Sequence, residues 1–184
     1  FRDGWVDNFL FQGQSRLRRW IDEWIESRVV KDADAVMVVT DHIRKSLQLR
    51  YPKYAQKIYL IHNGFDRSDF ENLNVFPTRS SNCVHYDYVG NWGGFRDPAP
   101  LFKAFEELFN EGSLLKDEVS LTFTGGYHDK DSTLPDWVTV NPPVPHKAAL
   151  GIMTTSSVLI LLASISEREG AFTSKIFEYL AAQR

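Results

Sequence analysis

The sequence of 184 residues contains a single cysteine, Cys83. One thiol cannot form an internal disulfide, so a fold that depends on a disulfide framework is excluded. Long apolar runs are also missing, because the longest covers residues 158–163 and a membrane-spanning helix needs roughly 20 such residues. An excess of basic charge is absent too, since the formal net charge is −3. This balance gives no electrostatic reason to expect a nucleic-acid partner.

Several catalytic signatures are missing from the sequence as well. It has no Gly-x-Ser-x-Gly nucleophile elbow, no His-Glu-x-x-His zinc motif, no P-loop and no cysteine pair for a metal. The sequence therefore gives no support for assignment of the protein to the serine hydrolases, the zinc peptidases or the P-loop NTPases. The chain starts at Phe1 rather than at a methionine, and its last residues continue a helical pattern. We therefore expect it to be an internal piece of a longer protein.

What the sequence does contain is a regular alternation of helical and strand patterns. Helical spacing of apolar residues predicts helices over 15–30, 41–50, 98–110 and 147–154, and a last helix from Ser174 onward. Short apolar runs predict strands over 35–39, 58–61, 84–89, 119–123, 138–140 and 158–162. Such strands, apolar on both faces and alternating with helices, are typical of a mostly parallel sheet that is covered on both sides. The predicted fold class is α/β.

A polar stretch containing Pro77 interrupts this alternation and is typical of a linker. We predict a first domain over residues 1–66, a linker over 67–83 and a second domain over 84–184. In the first domain, Thr40 is a suitable N-cap for the helix over 41–50, and Pro52 ends that helix. Trp20 and Trp24 recur at helical spacing, so we expect them to pack in the core or between domains rather than bind a ligand.

The carboxyl ends of the predicted strands indicate where a ligand would bind. Parallel sheets bind ligands where these ends lead into helices, which selects loops at 90–97, 125–131, 141–146 and 164–174. At the end of the last loop, the backbone N–H groups of a helix start suit a pyrophosphate. Glu178 lies one turn further on, about 5–6 Å away, where a carboxylate could accept hydrogen bonds from ribose hydroxyls. An ordinary capped helix with a solvated Glu178 is the alternative interpretation.

Four stretches, in chain order, resemble glycosyltransferase family 4. Residues 1–5 are similar to the DxRDPW turn of the acceptor domain in some bacterial members. Residues 33–66, which begin ADAVMVVT and end IHNGFD, are similar to the family's ADxVixVS…kixvIpNGvD passage. Residues 88–108 resemble the first strand, glycine turn and helix of its donor domain. The string TSKIFEYLAA, from Thr173 to Ala182, resembles the SK-[LI]-FEY-[LM]-AAG segment.

The resemblance implies a GT-B fold of two Rossmann-like domains, with an incomplete acceptor-side domain and a truncated donor domain in this chain. It implies a retaining hexosyltransferase of bacterial polysaccharide biosynthesis that needs neither a metal nor another cofactor. Its substrates would be a nucleoside-diphosphate sugar and a glycan or lipid-linked acceptor. The implied location is the cytoplasm or the inner face of the membrane, with peripheral membrane contact through an N-terminal part of the protein that lies outside this chain.

The resemblance also implies roles for individual residues. Donor binding falls to residues of the glycine turn and of the last helix: Gly93, Gly94, Thr173, Ser174 and Glu178. Arg96 and Glu169 are the implied catalytic residues. A guanidinium at Arg96 would bind the negative charge of the departing diphosphate. Glu169 matches the first of two paired glutamates, which touches the donor sugar, but eight residues separate it from Glu178 instead of the usual seven.

Other interpretations stay open at this point. A metal-dependent GT-A glycosyltransferase would hold its cation with an Asp-x-Asp triplet, and two occur, at residues 32–34 and 129–131. The triplet at 32–34 precedes a strand instead of following one, and the triplet at 129–131 is typical of a solvated turn. A nucleotide-sugar 2-epimerase of the same fold and a binding subunit that has lost catalysis are further alternatives. His128 and His146 lie on candidate loops, where they could approach a base or sugar or be solvated.

Overall fold

The computed structural model of the chain describes residues 1, 4–6, 15–71, 73, 82–93, 96–126, 134–163 and 173–183. The chain packs as two compact units. One consists of described residues within Phe1–Asn63 together with Thr173, and the other lies within Gly64–Ser164 and Ser174–Arg184. Both contain parallel strands flanked by helices, so the predicted α/β fold class is confirmed and the architecture is consistent with a Rossmann-like GT-B fold.

The first unit is a two-stranded parallel sheet packed against helices. Its elements are α1 (Arg16–Asp32), β1 (Val36–Val38), α2 (Asp41–Arg50), a 3-10 helix (Pro52–Lys57) and β2 (Ile58–Leu60). Strands β1 and β2 pair directly in parallel. One face of this sheet joins α1 and α2 in a hydrophobic core, whose buried members are Val30, Val36, Val38, Ile43, Leu47 and Ile58. Side chains of the opposite face, such as Met37 and Tyr59, are exposed.

Helix α1 turns a charged face inward. Its buried residues are Asp22, Glu26 and Val30. Trp20 and Trp24, in contrast, are 63% and 51% exposed. The predicted helix is therefore present, but the expectation that these tryptophans pack in the core is wrong for the first unit. The helical periodicity predicted the position of α1 correctly. It did not predict the buried face, which is the one that carries Asp22 and Glu26.

The carboxylate of Glu26 is fully buried and has three partners. Arg50 Nη2 lies 2.9 Å from its Oε1. The Tyr51 hydroxyl donates to the same oxygen at 3.0 Å, and the Val6 backbone N–H donates to Oε2 at 3.3 Å. Burial, followed by the hydrogen bond to Glu26, raises the pKa of Tyr51 to about 12. A buried carboxylate is tolerated only when it is paired and hydrogen-bonded in this way.

The second unit is built on a four-stranded parallel sheet. Its elements are α3 (Arg67–Glu71), β3 (Val84–Val89), α4 (Ala99–Asn110), β4 (Val119–Thr124), β5 (Val138–Asn141), α5 (His146–Thr155), β6 (Val158–Leu159) and α6 (Lys175–Ala181). The strand order is β5-β4-β3-β6, and each neighbouring pair is parallel. Strand β3 is therefore central, and its carboxyl end lies between those of β4 and β6.

Helices cover this sheet on both faces, as predicted. Alternate residues of β3 separate the two layers, because successive side chains of a strand point to opposite faces. Tyr88 packs with the α4 residues Phe102 and Phe105. Its neighbour Val89 packs on the other side with Leu150 of α5 and Tyr179 of α6. The sheet thus fixes α5 and α6 side by side on one face.

Two elements differ from the prediction. Strand β6 ends at Leu159 instead of 162, although the Ile160 N–H still donates to the Asp87 carbonyl at 2.9 Å. Residues 67–71 of the predicted linker form α3, and Phe70 packs against the cluster that contains α5 and α6. The boundaries predicted at residues 66 and 84 stay a prediction.

We expect Glu26→Ala to lower the free energy of unfolding by about 3 kcal/mol, because it removes the fully buried carboxylate that pairs with Arg50 and accepts from the Tyr51 hydroxyl. Chemical denaturation measures this loss. Glu23→Ala is the matched control, since Glu23 is on the same helix and pairs with Arg19 at an exposed position. Equal effects of the two substitutions would contradict the structural role of Glu26.

Candidate functional site

The carboxyl ends of β3 and β4 come unusually close together, and a glycine follows each strand. Gly90 and Gly125 have φ angles of +126° and +145°, a region that favours glycine. A Cβ on Gly125 would lie 2.2 Å from the carbonyl oxygen of Gly90. The Gly90 N–H donates to the Thr124 carbonyl at 2.8 Å, so pairing with β4 continues one residue past the end of β3. Neither Gly90 nor Gly125 therefore contributes a side chain of its own to this edge.

Asn91 joins the two loops that leave this edge. Its side-chain Oδ1 accepts a hydrogen bond from the Gly126 N–H at 3.1 Å. The Gly126 carbonyl accepts in turn from the Trp92 N–H at 2.9 Å. The loops that the sequence selected after β3 and β4 are therefore brought together by direct hydrogen bonds.

The ammonium group of Lys175 lies at the same edge. Its Nζ donates to the Tyr88 hydroxyl at 2.7 Å and is 4.2 Å from the centre of the Tyr88 ring. A Cβ on Gly90 would lie 2.2 Å from this Nζ, so the lysine occupies the space that glycine leaves. Sequence reasoning missed Lys175 as a site residue. The available signal was its position as a cation directly after Ser174, immediately beyond the predicted pyrophosphate loop.

Glu178 lies in the first turn of α6 and faces His146. The Glu178 Oε1 is 3.3 Å from His146 Nε2, and the two side chains are 27% and 59% exposed. On the other side of the ring, Asp69 Oδ2 of α3 lies 4.0 Å from His146 Nδ1. Glu178 is therefore half-buried and oriented by a neighbour rather than fully solvated.

The turn that carries Arg96 is anchored next to this edge. Gly93 and Arg96 form an antiparallel bridge with backbone N–H to carbonyl distances of 3.0 and 3.2 Å. Trp92, immediately before it, is fully buried, and its ring centre is 4.5 Å from that of Phe123. Arg96 is half-buried. Gly94, predicted as a donor-binding residue, lies outside the described residues.

The start of α6 differs in detail from the prediction. The helix begins at Lys175, and the preceding residue Ser174 makes no side-chain capping hydrogen bond. Thr173 is half-buried. Tyr179 fixes the helix to the sheet, because its hydroxyl accepts from the Val89 N–H at 3.4 Å and burial raises the pKa of this phenol. The diphosphate roles of Thr173 and Ser174 stay predictions, and Glu169 is among the residues not described.

Other kinds of site have little support in the part of the chain that is described. No group of three or more histidine, cysteine or acidic residues there could hold a metal ion. Asp34 of the first Asp-x-Asp triplet lies two residues before β1, on the wrong side of a strand, and the triplet at 129–131 is not described. Among the helices of the described residues, none has the length and apolar character to cross a membrane.

Comparison with known proteins gives a match to one family model. The family model Glycosyltransferase Family 4 matches residues 4–69. Residues 4–69 of the chain are therefore similar to glycosyltransferase family 4. This match supports the family membership predicted from the sequence, although it covers less than half of the chain. No curated protein matches the chain.

The family 4 match and the candidate site occupy different parts of the chain. The matched residues 4–69 comprise nearly all of the described first unit and the beginning of α3. Gly90, Lys175 and Glu178 lie beyond it. The family match therefore supports a general glycosyltransferase role for the protein. It gives no role to Gly90, Lys175 or Glu178, for which the evidence is their geometry.

We expect Gly125→Ala to lower the free energy of unfolding by more than about 2 kcal/mol, because the new methyl group would meet the Gly90 carbonyl and the backbone conformation is strained for alanine. Thermal unfolding of the variant tests this. Gly64→Ala serves as the control, since a Cβ there meets nothing within 4 Å. A Gly125 variant as stable as the Gly64 variant would contradict the close approach of the two loops.

Proposed function

We propose that this protein is a hexosyltransferase whose second unit binds a nucleoside-diphosphate sugar. The sugar would pass to a glycan or lipid-linked acceptor, with retention of configuration and without an obligatory metal. We place this activity in bacterial polysaccharide biosynthesis, in the cytoplasm or at the inner face of the membrane. The observation that carries the proposal is the convergence of Lys175 and the bare glycine backbone at the carboxyl end of β3, with Glu178 one turn further along α6.

A diphosphate suits the edge formed by Gly90 and Gly125. Because Gly90 has no Cβ, the Lys175 ammonium group can lie against the backbone there, and an anionic group at this edge would meet its positive charge. Lys175 offers a compact positive charge on a flexible stem, which can leave the face of Tyr88 for a stronger anionic partner. In a transferase the bond between the anomeric carbon and the diphosphate breaks, and the nucleoside diphosphate leaves with added negative charge. Lys175, together with Arg96, would stabilise that charge.

A ribose suits Glu178. Its carboxylate is half-buried, so hydrogen bonds to it are less weakened by water than at an exposed position. Two neighbouring hydroxyl groups can donate to one carboxylate, and such charge-assisted hydrogen bonds are strong. Lys175 and Glu178 are three residues apart on the same helix, which places them on one face. Diphosphate and ribose contacts would thus come from a single helical turn.

A binding subunit without catalysis is the second candidate. The observation that favours it is the separation of eight residues between Glu169 and Glu178, one more than the paired-glutamate signature has. This subunit would bind the same donor but would not transfer its sugar. Turnover of the donor therefore separates the two candidates, whereas binding does not.

The test of the donor class is a thermal-shift panel on the full chain with UDP, GDP, dTDP and CMP, each with and without EDTA. We expect one diphosphate to raise the midpoint of unfolding, because a ligand that binds only the folded state stabilises it. The shift should persist in EDTA. A shift that EDTA abolishes would indicate a metal-dependent site, and the absence of any shift would contradict donor binding by this chain.

We expect Glu178→Ala to weaken binding of the responding diphosphate by about 1–3 kcal/mol, the scale of hydrogen bonds lost from a charged acceptor. Isothermal titration calorimetry gives this difference. Glu107→Ala removes a glutamate of the same unit from an exposed pair with Lys103 and should leave the affinity unchanged. If the two variants bind alike, Glu178 does not hold the ribose.

A further inference from the structure

His146 faces Glu178 and Asp69, and these three side chains come from three different helices of the second unit. We propose that His146 is a positioning residue that orients the Glu178 carboxylate for the two ribose hydroxyls of the donor. The inference rests on the proposed function, because it concerns how the same site recognises its nucleotide. It assigns His146 no contact with the reacting atoms.

A carboxylate must be aligned to accept hydrogen bonds from two adjacent hydroxyls. The terminal torsion of a glutamate is broad, so an unsupported Glu178 would sample many orientations. A hydrogen bond from His146 Nε2 to Oε1, at 3.3 Å, restricts that rotation before the ligand arrives. Less conformational entropy is then lost on binding, which is the general benefit of supporting a binding group with a neighbouring residue.

Asp69 extends the arrangement by one residue. Its Oδ2 lies 4.0 Å from His146 Nδ1, on the side of the ring opposite Glu178. A histidine ring nitrogen takes its role from the partner of the other nitrogen. At 4.0 Å, Asp69 is a charged neighbour of the ring and not a hydrogen-bond partner, so the hydrogen bond that orients Glu178 is the one at His146 Nε2.

Packing fixes the three helices that carry this cluster. Phe70 of α3, Leu150 of α5 and Tyr179 of α6 belong to one hydrophobic group. This hydrophobic group fixes the backbones of the helices that carry Asp69, His146 and Glu178. The His146 side chain itself is 59% exposed. Exposed ion pairs contribute little to stability, so replacing His146 should leave the fold intact. A loss of ligand affinity in such a variant would then report on the site.

The experiment uses calorimetry on the full chain with UDP and GDP and with their 2′,3′-dideoxy analogues. We expect His146→Ala to weaken binding of the responding ribonucleotide about tenfold, the effect of one lost hydrogen bond to a charged group, and to leave binding of its dideoxy analogue unchanged. His146→Gln, which keeps a side-chain N–H, should recover part of the affinity. His42→Ala, an exposed histidine of the first unit, is the control and should match the wild type.

A double variant separates positioning from direct contact. If His146 acts through Glu178, then Glu178→Ala with His146→Ala should bind no more weakly than Glu178→Ala alone. Additive losses, or an equal loss with the dideoxy analogue, would overturn the inference. A ribonucleotide affinity that falls on Glu178→Ala but not on His146→Ala would overturn it and leave the proposed function standing. If the wild type binds no nucleotide, both proposals fail together.

Discussion

The close approach of two backbones, at Gly90 and Gly125, is the constraint on which the second unit's edge depends. A Cβ at Gly125 would lie 2.2 Å from the Gly90 carbonyl oxygen, so the ladder between β3 and β4 continues only with glycine there. Because this ladder continues, the Asn91 side chain can bridge the loops. The absent side chain at Gly90 also leaves the space that Lys175 fills. The absence of side chains at Gly90 and Gly125 thus allows the loops after β3 and β4 to approach each other and Lys175 to lie beside them.

The sequence predicted best those elements whose ends are set by local chemistry. Helix α2 has the predicted bounds, since the Thr40 hydroxyl accepts from the Ile43 N–H at 3.2 Å and Pro52 follows the helix. Strand β3 also has its predicted bounds, because it is followed by a glycine with a positive φ angle. Caps, prolines and glycine turns act within a few residues, so they can be recognised without knowledge of the tertiary structure.

Predictions that needed tertiary contacts were weaker. The buried face of α1 could not be chosen from periodicity, because the stripe of Trp20 and Trp24 is more apolar than the face that the fold buries. The buried Glu26 carboxylate is stabilised by Arg50 and Tyr51, which lie more than twenty residues away in the sequence. Helix α3 was missed for a related reason. It has five residues, too few for a periodic pattern, and it is stabilised by packing of Phe70.

In the candidate site, too, contacts between residues that are distant in the sequence could not be predicted. A comparison of the buried Glu26 with the half-buried Glu178 shows what the structure adds. Glu26 has protein partners at both carboxylate oxygens, and its side chain is fully buried. Its hydrogen bonds therefore stabilise the fold. Among the residues that the structure describes, His146 alone is a side-chain hydrogen-bond partner of Glu178, whose side chain is 27% exposed. A carboxylate that is held by one neighbour and still reaches solvent retains the capacity to accept hydrogen bonds from a ligand. The helical spacing predicted the position of Glu178 on α6, but only the contact with His146 distinguishes it from a purely structural carboxylate such as Glu26.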